Sequence, residues 1–322
     1  MKNILITGIT GQDGIFLTRL LKNKSPNCNI VGTSRNSNNN IFFQKLNYLK
    51  LEDTRNINIF NIDLNNFNEV NNFVREINPD FVYNFSGPSS VYESLENSYI
   101  QTEINNGFKN LTESLIVNKN FCNFFQASSS EMFADSDKQL DENSKFEPNS
   151  PYAKAKLDIH YKVLELNEKF DWKIISGIMF NHESEFRSDN FLFYKIINAA
   201  VEIKNKKRNS IELGNLDIER DWSYAKEIVE GVYETMNYGS SPTYVYGSGK
   251  STSIKNCVDY IFKAYDLDWR EFVKTNKSFI RDNDPLKKIC DPTRIYNEIG
   301  WETKTSIFEV LNLMINYKSR LS

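Results

Sequence analysis

The stretch Asn3-Ile4-Leu5-Ile6-Thr7-Gly8-Ile9-Thr10-Gly11-Gln12-Asp13-Gly14 begins as a short apolar strand. It crosses three glycines and continues into Phe16, Leu17, Leu20 and Leu21 at helical spacing. A strand, a tight turn and a helix follow from that pattern. In such a turn the first glycine lets the backbone reverse, the second lets a pyrophosphate approach the amides, and the third lets helix and strand pack closely. The helix N-terminus then faces the phosphates. Gly8, Gly11, Gln12, Asp13 and Gly14 are therefore candidate cofactor-binding residues. The plain alternative is a tight connection with no ligand.

Beyond this stretch, strands are expected around 30–34, 57–62, 81–85, 121–127 and 174–180. Helices are expected over 67–77, up to about 117, and after Pro151. Alternation of this kind implies a parallel sheet with helices on both faces. The class is α/β: a Rossmann-type doubly wound parallel sheet with a smaller C-terminal substrate-binding lobe. Beyond residue 180 the pattern loosens to a helix around 191–203, a strand at 211–213, a helix over 224–236 and an amphipathic helix through Ile307, Val310, Leu311 and Met314. Residues 1–180 are read as the dinucleotide-binding domain, with 223–248 returning to it, and 181–322 as the substrate lobe.

Composition narrows the chemistry. A chain of 322 residues accommodates two lobes. With 39 basic and 42 acidic residues the net charge is −3, so the bulk balance favours neither nucleic acid nor an anionic membrane. Two histidines, His160 and His182, are too few for a His-built metal site, and no metal is expected. Cys28, Cys122, Cys257 and Cys290 show no C-x-x-C pairing, which fits a reducing, cytoplasmic compartment. No window approaches the roughly 20 apolar residues of a membrane span.

After the second strand the chain reads Gly32-Thr33-Ser34-Arg35-Asn36, without a carboxylate for a ribose 2′-hydroxyl. Arg35 there favours NADP over NAD, unless it is simply a solvated charge. Asp63 is placed to meet the adenine edge. Downstream, Tyr152 and Lys156 are four residues apart in Pro151-Tyr152-Ala153-Lys154-Ala155-Lys156 and so share one helix face. An ammonium beside a phenol stabilises the phenolate and draws its pKa toward working pH, which suits removal of a hydroxyl proton as hydride leaves the same carbon. The fifth strand ends in Ser128-Ser129-Ser130-Glu131, where Ser129 can bond the reacting oxygen and Glu131 can act as a second acid or base. Capping of the following turn is the bland alternative for Ser130 or Glu131.

The motifs TGITGQDG (7–14), QASSSEMF (126–133), SPYAKAK (150–156), FNHES (180–184) and LGNLDIERDW (213–222) together resemble the GDP-mannose 4,6-dehydratase family. These are extended short-chain dehydrogenases/reductases that modify nucleotide sugars; the first motif has their G-x-x-G-x-x-G spacing. The resemblance implies that Tyr152 takes the sugar O4 proton while C4 gives hydride to NADP, and that Lys156 holds the nicotinamide ribose. It further implies that Glu131 takes the C5 proton, water leaves C6 and hydride returns there. Ser129 stands where the family has threonine. Asn181, Asn190 and Arg220, with Arg281 and Asp284, are implied to hold the nucleotide sugar, in a homodimer or homotetramer. Departures are Glu185-Phe186-Arg187-Ser188 for the family's P-R-R-G, Asp282 and Pro285 in the later motif, and Asn36 for a second arginine. A lone histidine such as His182 is more often structural than a ligand. Competing readings are an epimerase or 4-keto reductase using Tyr152 and Lys156 without elimination, and a non-catalytic NADP-binding protein.

Overall fold

Along the first strand, Ile4 and Ile6 face one hydrophobic core while Leu5 faces another, so a period of two serves both sides of a sheet. The structure, a computed structural model, describes residues 1–35, 39–88, 91–97, 99–279 and 285–321. The chain runs β1 (Asn3–Thr7), α1 (Gln12–Lys24), β2 (Asn29–Thr33), α2 (Asn40–Tyr48), β3 (Ile57–Phe60), α3 (Phe67–Ile77), β4 (Phe81–Asn84), α4 (Val91–Glu96), α5 (Tyr99–Val117), β5 (Asn123–Ser129), α6 (Pro151–Phe170) and β6 (Ile174–Met179). It continues as β7 (Asn181–Glu183), α7 (Leu192–Lys204), β8 (Ile211–Leu213), β9 (Glu219–Tyr224), α8 (Ala225–Tyr238), β10 (Thr243–Tyr246), β11 (Ser251–Ser253), α9 (Ile254–Lys263), α10 (Trp269–Phe272), β12 (Val273–Thr275), β13 (Lys287–Lys288), α11 (Thr293–Ile299) and α12 (Ile307–Leu321).

Among the described residues, seven strands form a parallel sheet in the order β10-β6-β5-β4-β1-β2-β3. This is the doubly wound arrangement, with its topological switch between β1 and β4. On one face Ile15, Phe16 and Leu17 of α1 pack with Ile228, Val229 and Val232 of α8. On the other, Val70 and Val74 of α3, Phe108 and Leu111 of α5, and Ile159 and Val163 of α6 cover Leu5, Val31, Val82 and Phe124. Burying these apolar side chains on both faces is the main stabilisation of the sheet.

Helix starts follow local chemistry. Asn66 caps α3 by accepting from Glu69 N, and Ser150 caps α6 by accepting from Ala153 N at 3.1 Å, with Pro151 in the first turn. The single helix expected up to about 117 is two, α4 and α5. The Asn97 side chain accepts from Tyr99 N at 3.1 Å and so restarts the helix. Strand β5 runs to Ser129, two residues beyond its expected end, which brings the serines onto the sheet's carboxyl edge.

The later part of the chain builds a second sheet from short strands, β11-β9-β13 with β7 also on β9. It carries Asn181 on β7, Arg220 on β9 and Lys288 on β13. β12 pairs with β8. No helix among the described residues is long and apolar enough to cross a membrane.

Candidate active site

The carboxyl ends of β1, β4 and β5 open onto a cleft of about 1220 Å³. Gly8, Gly11, Gln12, Asp13, Arg35 and Asp63 line it on the β1–β3 side, Ser129, Glu131, Tyr152 and Lys156 along β5 and α6, and Asn181, Asn190 and Arg220 beyond β6. Gly14 lies behind this lining, where a Cβ would come 2.4 Å from the Ile9 carbonyl oxygen. Its lack of a side chain lets α1 pack against the turn. Arg281 and Asp284, with Asp282 and Asn36, lie outside the described residues.

At the phosphate turn Gly8 adopts φ +69°, a region L side chains rarely enter, and a Cβ there would be 3.0 Å from the Phe85 carbonyl. Gly8 N and Ile9 N both donate to Thr33 O, at 3.1 and 3.3 Å, which pins the turn to β2. Gly11 precedes α1 without any side-chain cap, so the first-turn amides face the cleft. Gln12 and Asp13 spend their side chains on the second sheet. Gln12 Nε2 donates to His182 O at 3.1 Å and Ser184 Oγ donates to Gln12 Oε1 at 2.8 Å. His182 bonds Phe180 O through Nδ1 at 2.8 Å, and its Nε2 lies 3.2 Å from Asp13 Oδ1. Burial disfavours the imidazolium, yet the Asp13 carboxylate prevails and His182 is raised above its ordinary pKa.

At the far end of the cleft Arg35 donates to Glu103 Oε1 at 2.9 Å. Asp63 accepts from the amide of Asn65 at 3.0 Å, closing a local turn after β3.

Across the strand ends runs a buried polar ladder absent from the sequence reading. Thr7 Oγ1 donates to Asn84 Oδ1 at 2.5 Å, and Asn84 Nδ2 donates to Gln126 Oε1 at 2.7 Å. The signal for it was an asparagine ending the otherwise apolar run 81–84.

Ser129, Tyr152 and Lys156 are nearly buried and Glu131 remains partly open to the cleft. Ser129 Oγ accepts from Glu131 N at 3.3 Å, so the turn is capped by Ser129 itself rather than by Ser130 or Glu131. Burial pushes the Tyr152 phenol up to about 12; hydrogen bonding with Ser129 opposes the rise and the Glu131 carboxylate adds to it. Lys156 Nζ donates to Ala127 O at 2.9 Å and lies 5.7 Å from the Tyr152 ring centroid. Burial brings Lys156 down to about 8. Burial thus sets the direction for the phenol, while the ammonium bonds a carbonyl and sits over the ring face.

Beyond β6 Arg220 is buried and NH1 donates to Glu219 O and Pro285 O, each at 2.8 Å. Asn190 Nδ2 donates to Glu93 Oε1 at 3.4 Å. Arg187 lies 3.5 Å above the Phe191 ring centroid and 3.5 Å from Glu183. The departures Glu185 and Phe186 have turned inward. Tyr224 OH donates to Glu185 Oε2 at 3.2 Å, and Phe186 packs among Phe16, Tyr48 and Tyr317. Lys288, unmarked by any motif, stands 3.9 Å from Glu131 Oε2.

Over residues 5–314 the chain matches the family described as GDP-mannose 4,6 dehydratase. GDP-mannose 4,6 dehydratase 1 of Arabidopsis thaliana is 30% identical over 325 residues, covering 98% of this chain and 89% of that protein. Among solved structures, dTDP-glucose 4,6-dehydratase from Bacillus anthracis, in complex with NAD, superposes with a TM-score of 0.83 at 16% identity, covering 99% of this chain and 97% of that one. UDP-glucose 4-epimerase from Thermotoga maritima, with UDP-glucose, gives 0.85 at 18% identity, covering 99% of each chain. The structural likeness concerns the fold, whereas the sequence match spans nearly every element that builds the cleft, and on that ground the chain belongs to the GDP-mannose 4,6-dehydratase family.

Proposed function

We propose that this protein is an NADP-dependent nucleotide-sugar 4,6-dehydratase that converts GDP-mannose to its 4-keto-6-deoxy product. The observation that carries this reading is the meeting of Ser129, Glu131, Tyr152 and Lys156 in one cleft with the phosphate turn. A dinucleotide fits there, because the α1 amides lack a side-chain cap and Gly8 and Gly11 keep the turn free of side chains. Bound, it supplies a reversible hydride acceptor, so the reaction is redox-neutral overall and releases one water.

In this reading Ser129 orients the sugar O4 and Tyr152 takes its proton. Lys156 holds the cofactor ribose. Once C4 is a ketone the C5 hydrogen is acidic, and Glu131 takes it as water leaves C6. Arg220 and Asn181 hold the nucleotide sugar, with Asn190, Arg281 and Asp284. Gly8, Gly11, Gln12, Asp13 and Gly14 shape the cofactor site, while Asp63 lies toward the adenine. The preference for NADP rests on Arg35 and on the absence of a carboxylate between Gly32 and Arg35. We further propose that residues 1–180 with 223–248 form the cofactor-binding unit and 181–322 the substrate lobe. Exposed Tyr99 and Tyr161 on α5 and α6 support a homodimeric or homotetrameric assembly, and the four unpaired cysteines support a cytoplasmic setting.

Incubation with NADP+ and GDP-mannose, without added reductant, should yield a 4-keto product carrying one solvent hydrogen at C5. No keto product from GDP-, UDP-, dTDP- or CDP-hexoses would sink this reading. A C4 epimer without elimination would instead establish the epimerase chemistry, and turnover only with NADPH and a 4-keto sugar nucleotide the reductase chemistry, neither of which has a use for Glu131.

A further inference from the structure

Lys288 is a buried cation at a position no motif singles out. Its side chain is 3% exposed, and its Nζ lies 3.9 Å from Glu131 Oε2. The fold builds this juxtaposition from both sides. Glu131 directly precedes Met132 and Phe133, and Lys288 lies two residues before Cys290. Met132, Phe133 and Cys290 are members of one small apolar cluster. Leu140 N donates to Ile289 O at 2.8 Å and Asp291 N to Leu140 O at 2.9 Å, stitching the segment after Glu131 to the strand that carries Lys288. In register, Lys288 stands opposite Arg220 on β9, so it lies behind the cleft wall that Arg220 and Glu131 line.

We propose that Lys288 is a positioning residue for the dehydration half-reaction: it holds one oxygen of the Glu131 carboxylate so that the other is aimed at the sugar C5. A buried ammonium is costly unless it is paired or hydrogen-bonded, and the ion pair that Lys288 makes among the described residues is with Glu131. The inference rests on the dehydratase reading, in which Glu131 is the base. Lys288 itself transfers no proton.

The test uses wild type, K288M, K288R, E131Q and the double variant E131Q/K288M, with NADP+ and GDP-mannose in D2O. Reduced nicotinamide absorbance follows oxidation, and mass spectrometry follows deuterium at C5. K288M should retain oxidation and an unchanged KM while losing about 10²-fold in elimination, the cost of a misplaced catalytic group. K288R should recover most of that loss. In the E131Q background K288M should cost nothing further, because Lys288 acts through Glu131. Wild-type elimination in K288M, or an additional loss in the double variant, overturns the proposal while leaving the dehydratase reading intact. If K288M fails to fold, K288Q, alone and with E131Q, takes its place under the same criteria. Wild type that makes no keto product overturns the dehydratase reading, and this proposal with it.

Discussion

Asp13 in the phosphate turn and His182 on β7 are 169 residues apart in the chain and meet at 3.2 Å. With Gln12 bonded to both His182 O and Ser184 Oγ, the turn that would receive a pyrophosphate is fastened to the strand that presents Asn181. The β1 side of the cleft and the side built by β7 are thus held in one register.

Replacing Asp13 by Asn should destabilise the protein by about 2 kcal/mol near pH 6, typical of a hydrogen bond to a charged group. Although burial opposes it, Asp13 raises the folded-state pKa of His182 above the unfolded value. The stabilisation is therefore fully present below about pH 6.5 and is lost as pH rises through the raised value. Thermal unfolding of wild type and D13N should show a gap that narrows from pH 6 toward alkaline pH. A gap that widens would contradict the assigned pairing.

His160 behaves in the opposite sense. It lies on the buried face of α6, within hydrogen-bond distance of Ser176 Oγ at 2.9 Å, and burial lowers its pKa to about 4. Between about pH 6.5 and 4 the unfolded chain binds a proton that the folded chain refuses, so stability falls with acidification, by up to about 3 kcal/mol. Urea unfolding of H160Q should show a shallower acid decline than wild type; parallel curves would remove His160 from the acid response.

Adding a methyl at Gly14 drives it against the Ile9 backbone, which cannot swing aside as a side chain can. G14A should lose about 1–3 kcal/mol and weaken dinucleotide binding, measured by denaturation and calorimetry. Unchanged stability and binding would show that the turn yields more easily than its packing indicates.

Tyr152→Phe should lower kcat by about 10²–10⁴ while cofactor binding persists, because the phenol oxygen is removed and the ring stays in its buried place. Turnover at the wild-type rate would reassign the proton acceptor.

Glu103 is paired with Arg35 at 2.9 Å, and under the proposed NADP preference this pair would compete with the 2′-phosphate. Glu103→Gln should tighten NADP+ by up to about fivefold and leave NAD+ unaffected, a modest gain because the arginine is mostly exposed. Equal changes for both dinucleotides in calorimetry would place the 2′-phosphate elsewhere.

Local features were legible in the residues: the strand, glycine turn and helix of residues 3–24, the alternation that makes a doubly wound sheet, and the shared face of Tyr152 and Lys156. Each is a periodicity or an interval of four residues, written within one element. The second sheet emerges only on folding, because its β7, β11 and β13 have two or three residues each and so carry no period to read. Folding also set the Asp13–His182 and Glu131–Lys288 pairs and the balance of charge around Tyr152. These depend on which distant segments share a buried volume, and burial, unlike spacing, is a property of the assembled chain.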